Sequence, residues 1–177
     1  IGLATAFSLL GDQTLYSVLP TYFRELGLLP YHVGLILSMN RWIRLVTNQL
    51  AEWLCRRYNP TVLVGLALVL GALVTLSYGL VPAFPIFIGM RFLWGLSWSF
   101  IRQVGLMTVV DSSPERHIGR MMGFYTGISR IGSVVGNLVG AMGHDLIGFT
   151  LTLLIFSGIS LVGVPIGVLS RRRLRQV

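Results

Sequence analysis

The chain contains no lysine, one cysteine and only six carboxylates, and each shortage removes a class of explanation. A lone Cys55 cannot close an internal disulfide and has no metal-ligating neighbours at useful spacing. A disulfide scaffold and a zinc site are therefore excluded, and helix packing is the expected use of Cys55. Charged residues make up 11% of the chain, against about a quarter in soluble domains, which excludes an ordinary water-soluble fold. All 14 basic residues are arginine, and the absence of lysine points by itself to no mechanism. The formal net charge of +8 is divided among short loops, the chain end and apolar stretches, with no single exposed basic face, so nucleic acid is not an expected partner. No nucleophile stands beside a base, and there is no metal-ligand cluster or pair of catalytic carboxylates. Neither an enzyme nor a cofactor or metal site is expected.

What is present is apolar sequence, 54% of the chain. Runs of roughly 20 residues, enough to cross about 30 Å of hydrocarbon, occur six times. They cover approximately Ile1 to Phe23, Val33 to Cys55, Thr61 to Val81, Phe84 to Val110, Gly119 to Gly143 and Leu146 to Ser170. The breaks fall at Glu25-Leu26-Gly27 with Pro30, at Tyr58-Asn59-Pro60, at Pro82 with Pro85, at Ser112-Ser113-Pro114-Glu115 and at His144-Asp145. The expected fold is an all-α membrane protein in which residues 1–177 form one six-helix transmembrane domain, with no room for a soluble one. The first run has no basic start or small-residue cleavage site and is too long for a signal core, so it reads as a true helix. Arg56, Arg57, Arg116, Arg120, Arg171, Arg172, Arg173 and Arg175 fall on one side of this arrangement and Arg24 on the other. By the positive-inside rule both termini are expected in the cytoplasm.

Ionisable residues inside the runs carry the functional signal. Arg41, Arg44, Arg91 and Arg130 sit in the middle of apolar stretches, whereas Asp12 is the one acid that does so. A charge at the centre of a membrane helix costs at least about 2.5–3.5 kcal/mol, so it normally faces a partner, a cavity or a substrate path. Polar side chains recur at same-face spacing in four runs: Thr5, Ser8, Asp12 and Tyr16; Arg41, Arg44, Asn48 and Glu52; Arg91, Trp94, Trp98 and Arg102; Thr126, Arg130, Ser133 and Asn137. The third and sixth runs hold no charge, so runs 1, 2, 4 and 5 are expected to surround a polar pathway while 3 and 6 lie against lipid. Asp12 with Arg91 can form a structural pair, but one acid cannot balance the remaining arginines. An anionic solute bearing carboxylate or phosphate fits the guanidinium fork. Trp94 and Trp98 are open to two uses, stacking on an organic solute or packing. Gly132, Gly136 and Gly140 repeat every four residues, with Gly123 and Gly127 as a further pair, which predicts close approach of the fifth helix to another helix.

The segment Asn48-Gln49-Leu50-Ala51-Glu52-Trp53-Leu54-Cys55-Arg56-Arg57 resembles the signature loop of the major facilitator superfamily, G-x-L-a-D-r-x-G-r-r. Leu50, Ala51, Arg56 and Arg57 match. Asn48, Trp53 and Cys55 depart, and Glu52 keeps the acidic charge. Arg91-Phe92-Leu93-Trp94-Gly95-Leu96-Ser97 resembles the family's helix 4 pattern R-x-x-q-G-x-g, and Asp12 with Leu19-Pro20 is similar to the first helix of drug:proton antiporters. Gly132-Ser133-Val134-Val135-Gly136-Asn137 resembles the antiporter pattern G-P-x-x-G-G with Ser133 and Asn137 substituted, and Pro114-Glu115-Arg116 to Gly119-Arg120 is typical of the loop between helices 4 and 5.

This resemblance implies a half bundle of two inverted three-helix repeats, the amino-terminal half of a twelve-helix transporter. It implies helices 1 and 4 lining the cavity, 2 and 5 at the interface between halves, and 3 and 6 at the periphery. It also implies a gating latch at Asn48, Glu52, Arg56 and Arg57, and proton coupling associated with Arg91. The chain starts at Ile1 without an initiator methionine, so it is expected to need a missing carboxy-terminal half or a second copy of itself. The expected function is secondary active transport of a small anionic or organic solute by alternating access, proton-coupled, in a bacterial inner membrane. The solute and proton path comprises Asp12, Arg41, Arg44, Arg91, Trp94, Trp98, Arg102 and Arg130. Two other readings stay open: a non-transporting sensor or assembly module that binds anionic lipid, and a lipid flippase.

Overall fold

A computed structural model describes residues 1–173. Arg175, counted above with the terminal arginines, lies outside the described residues. The chain folds into six helices: α1 (Gly2–Tyr22), α2 (Pro30–Arg57), α3 (Pro60–Leu80), α4 (Phe84–Ser112), α5 (Ile118–Ile147) and α6 (Phe149–Arg173), with a single 3-10 turn at Glu115–His117 before α5.

The boundaries follow from local chemistry. Pro30, Pro60 and Pro85 each sit in the first turn of a helix, where the missing N–H leaves no bond unmade. The Asn59 side chain caps α3 by accepting from the Thr61 N–H at 3.0 Å. The last break differs from the sequence expectation. The helix continues through His144 and Asp145 and turns at Gly148, whose φ of 88° is a conformation few other residues adopt without strain. One residue thus separates α5 from α6.

Packing follows a regular plan. The main pairings are α1 with α5, α2 with α4, α3 with α6, α3 with α4, and α1 with α6. Exchanging helices 1–3 for helices 4–6 turns α1–α5 into α4–α2 and α3–α4 into α6–α1, so the plan maps onto itself. The apolar core consists of two clusters. One gathers Leu15, Leu19, Ile36, Tyr78, Phe87 and Leu153, and the other Val64, Leu68, Ile101 and Val104.

Three helices, α3, α4 and α6, are long and apolar enough to cross a membrane on composition alone. The others fall short for an identifiable reason. The polar residues of α1, α2 and α5 lower their apolar content, and a subset of them, including Asp12, Arg41, Arg44 and Arg130, faces a shared cavity.

Candidate functional site

The cavity has a volume of about 670 Å³ and is walled by α1, α2, α4 and α5, with no lining residue from α3 or α6. α1 contributes Asp12, Gln13 and Tyr16; α2 contributes Asn40, Arg41 and Arg44; α4 contributes Trp94, Trp98 and Arg102; α5 contributes Tyr125, Thr126, Ser129, Arg130, Ser133 and Asn137.

Small residues let α1 and α5 approach closely enough to form one wall. Gly132 and Gly136 lie directly on the α1 backbone at Ala6 and Leu10, and Gly140 lies on Thr14. The Thr14 hydroxyl shares its one proton between the Leu10 carbonyl of its own helix at 2.8 Å and the Gly136 carbonyl of α5 at 3.1 Å, which adds a polar contact to the seam. Gly123 and Gly127 have open space instead. The glycines of α5 therefore divide into a packed seam and an unpacked pair.

Asp12 and Arg91 form a buried ion pair that ties α1 to α4. Arg91 is fully buried, and every branch of its guanidinium is used: Nη1 donates to Asp12, Nη2 to the Tyr16 hydroxyl at 3.0 Å, and Nε to the Ile36 carbonyl at 3.2 Å. Its charge also lies over the Tyr16 ring, 5.3 Å from the centroid. Arg91 is thus behind the cavity wall, while its partners Asp12 and Tyr16 line the cavity. A polar chain continues along the wall from α1 to α5. Gln13 donates to the other Asp12 oxygen at 2.9 Å, and Asn137 of α5 donates to Gln13 at 3.2 Å.

The remaining arginines are in a different condition. Among the described residues no carboxylate lies within 4.0 Å of Arg41, Arg44, Arg102 or Arg130. Arg41, Arg102 and Arg130 are exposed at the cavity surface, whereas Arg44 is half-buried and its Nε has no partner. The one cavity acid is already matched by Arg91, so four guanidinium groups face the space without compensation.

Trp94 is buried against Gly71 of α3 and stacks on Trp98 with ring centroids 6.2 Å apart. Both line the cavity, Trp94 from a packed position and Trp98 with more of its surface exposed. Gln13, Asn40, Tyr125 and Ser129 line the cavity without having been singled out from sequence. Gln13 and Asn40 were detectable as amides within apolar runs. Tyr125 and Ser129, small or amphipathic residues in a glycine-rich helix, offered no such signal.

The residues read as a gating loop all lie on the final turns of α2 and not in the connection, which is only Tyr58 and Asn59. Asn48 accepts from the Ser99 hydroxyl of α4 at 2.8 Å. Glu52 pairs with Arg56 at 2.6 Å, and Arg57 lies over the Trp53 ring at 4.6 Å. Behind them Arg171 at the end of α6 pairs with Asp111 at the end of α4, also at 2.6 Å.

The family model of the Major Facilitator Superfamily matches residues 1–176. The chain is 25% identical over 179 residues to the uncharacterized MFS-type transporter YwfA of Bacillus subtilis (strain 168), an alignment that takes in 96% of this chain. It spans 41% of that relative's length. With four polar-faced helices around a charged cavity and a family match over nearly its whole length, the chain belongs to the major facilitator superfamily, whose members are integral membrane proteins.

Proposed function

We propose that this chain is the amino-terminal six-span unit of a secondary active transporter that moves a small anionic organic solute by alternating access. The observation that carries this reading is the charge balance of the cavity. Four arginines are without a carboxylate partner, while the only acid in the wall is committed to Arg91. Guanidinium groups favour carboxylate and phosphate oxygens, which they bind in bidentate fashion. The unit works with a second six-helix unit, either farther along the same polypeptide or in a second copy, and the solute is held between them.

The arginine distribution supports six spans with both termini in the cytoplasm, and the Bacillus relative supports placement in a bacterial cytoplasmic membrane. Asp12 is the proton-coupling residue in this mechanism. Protonation removes the charge that Arg91 neutralises and weakens the Nη1 bond from an ionic to a neutral one, which loosens the tie between α1 and α4. Protonating and deprotonating Asp12 on opposite sides of the membrane then biases the two orientations. The similarity of the Asp12 region to drug:proton antiporters supports the coupling.

The test is uptake into proteoliposomes containing the full transporter, with radiolabelled organic anions and an imposed pH gradient. Gradient-driven anion uptake is expected, and Asp12→Asn should abolish the gradient dependence. Uptake confined to neutral or cationic solutes would overturn the anion reading. Retained gradient dependence in Asp12→Asn would remove Asp12 from the coupling. Tight binding of anionic lipid with no solute movement would identify a sensor.

A further inference from the structure

Resting on the anion reading above, we infer that the solute carries at least two negative charges together with a hydrogen-bond donor: a multivalent oxyanion with a hydroxyl or equivalent group.

Charge supplies the first part. The Asp12 carboxylate is cancelled by Arg91, so it subtracts nothing from Arg41, Arg44, Arg102 and Arg130. A monovalent solute would leave most of this positive charge uncompensated whenever the cavity closes and sheds water. Charge without a partner is most costly in a dry site. Arg44 sharpens the requirement, because its Nε is buried with no hydrogen-bond partner among the described residues. A carboxylate or phosphate meets that donor and a neighbouring Nη at once, while a second anionic group is left for the other arginines.

Asn40 supplies the second part. Its side chain lines the same cavity and only 4% of the residue is exposed, yet its Oδ1 is buried without a donor among the described residues. A buried acceptor left unpaired costs about 1–3 kcal/mol, and the arginines around it are donors that an anion will occupy. Asn40 and Arg44 are one helical turn apart on α2, so one small molecule can reach both. The acceptor at Asn40 calls for a donor on the solute, as the donor at Arg44 calls for an oxyanion.

The test is binding to the purified full transporter, followed by tryptophan fluorescence, since Trp98 lines the cavity. The probes are lactate, succinate, malate and glycerol 3-phosphate at constant ionic strength. Malate and lactate share a hydroxyl and differ in charge, whereas malate and succinate share charge and differ in the hydroxyl. Malate is expected to bind about tenfold tighter than lactate and about threefold tighter than succinate. Arg44→Gln should erase the first difference with Arg44→Lys keeping part of it, and Asn40→Ala should erase the second. Lactate binding as well as malate would overturn the charge requirement. Succinate binding as well as malate would overturn the donor requirement. In both cases the anion reading survives, because anions still bind. Failure of all four probes to bind overturns this inference, and the anion reading falls with it only if the uptake assay also finds no transported anion.

Discussion

Gly136 of α5 rests on Leu10 of α1 so closely that a methyl group in its place would sit 2.8 Å from the Leu10 carbonyl oxygen. No side chain can yield to relieve that contact, because the obstacle is backbone. Gly136→Val should therefore push α5 off α1 and open the cavity wall, at the cost of about 1–3 kcal/mol typical of overpacking. Gly127 on the same helix faces open space, with nothing within 4 Å of where such a methyl would sit, so Gly127→Val should change stability little within this unit. Thermal unfolding of both variants in detergent checks the contrast, and equal losses would mean that the glycine seam is not what holds α1 to α5.

The Asp12–Arg91 pair makes a sharper prediction about stability. Removing one partner of a buried pair leaves the other charge stranded and typically costs about 3–5 kcal/mol. Asp12→Asn alone and Arg91→Gln alone should each lower the unfolding midpoint markedly, and the double variant should lose less than their sum. Asparagine is nearly isosteric with aspartate, so on shape alone Asp12→Asn is a change that spares folding. The complete engagement of Arg91 with Asp12, Tyr16 and Ile36 alters that expectation, so the uptake test needs the folded fraction measured beside it. Additive losses in the double variant would show that the pair contributes no coupling.

The hydrogen bond from Asn137 to Gln13 joins α5 to α1 within one wall of the cavity at 3.2 Å, with Gln13 in turn held on Asp12. Gln13→Ala and Asn137→Ala form a double-mutant cycle whose coupling energy should be about 0.5–1.5 kcal/mol. Because Gln13 orients the Asp12 carboxylate, Gln13→Ala should also change the pH dependence of uptake, an effect that Asn137→Ala transmits only in part. A coupling energy indistinguishable from zero would reduce the chain of amides to coincident packing.

What could be read from the sequence was whatever depends on period and charge. Asp12, Arg41, Arg44, Arg102 and Arg130 stand out because each is an ionisable group in an apolar run, and all five line the cavity. Arg91 stands out for the same reason, yet no spacing reveals whether an arginine is spent on a carboxylate or offered to solvent. That distinction depends on helix-to-helix geometry, here the approach of Ile36, Tyr16 and Asp12 from two neighbouring helices. Tyr125 and Ser129 were invisible because a hydroxyl on a helix that also carries many glycines has no periodic contrast. The turn at Gly148 was missed because His144-Asp145 offered a stronger polar break, and a lone glycine shows its meaning only through its positive φ.

The α2 terminus separates a local interaction from a functional one. Glu52 and Arg56 pair at 2.6 Å, but their side chains are 53% and 75% exposed, and such i,i+4 pairs contribute only about 0.3–0.5 kcal/mol. Glu52→Gln should therefore shift the unfolding midpoint by no more than about 2 °C. If Glu52, Arg56 and Arg57 latch the unit to its partner during gating, the same substitution should change the transport rate several-fold. Exchanging the charges in Glu52→Arg/Arg56→Glu discriminates further. It restores the pair within α2 while presenting the wrong signs to anything beyond it, so a latch stays broken and a purely local pair recovers. Full recovery of the rate in the exchanged variant, or an unchanged rate in Glu52→Gln, would confine these residues to the surface of α2.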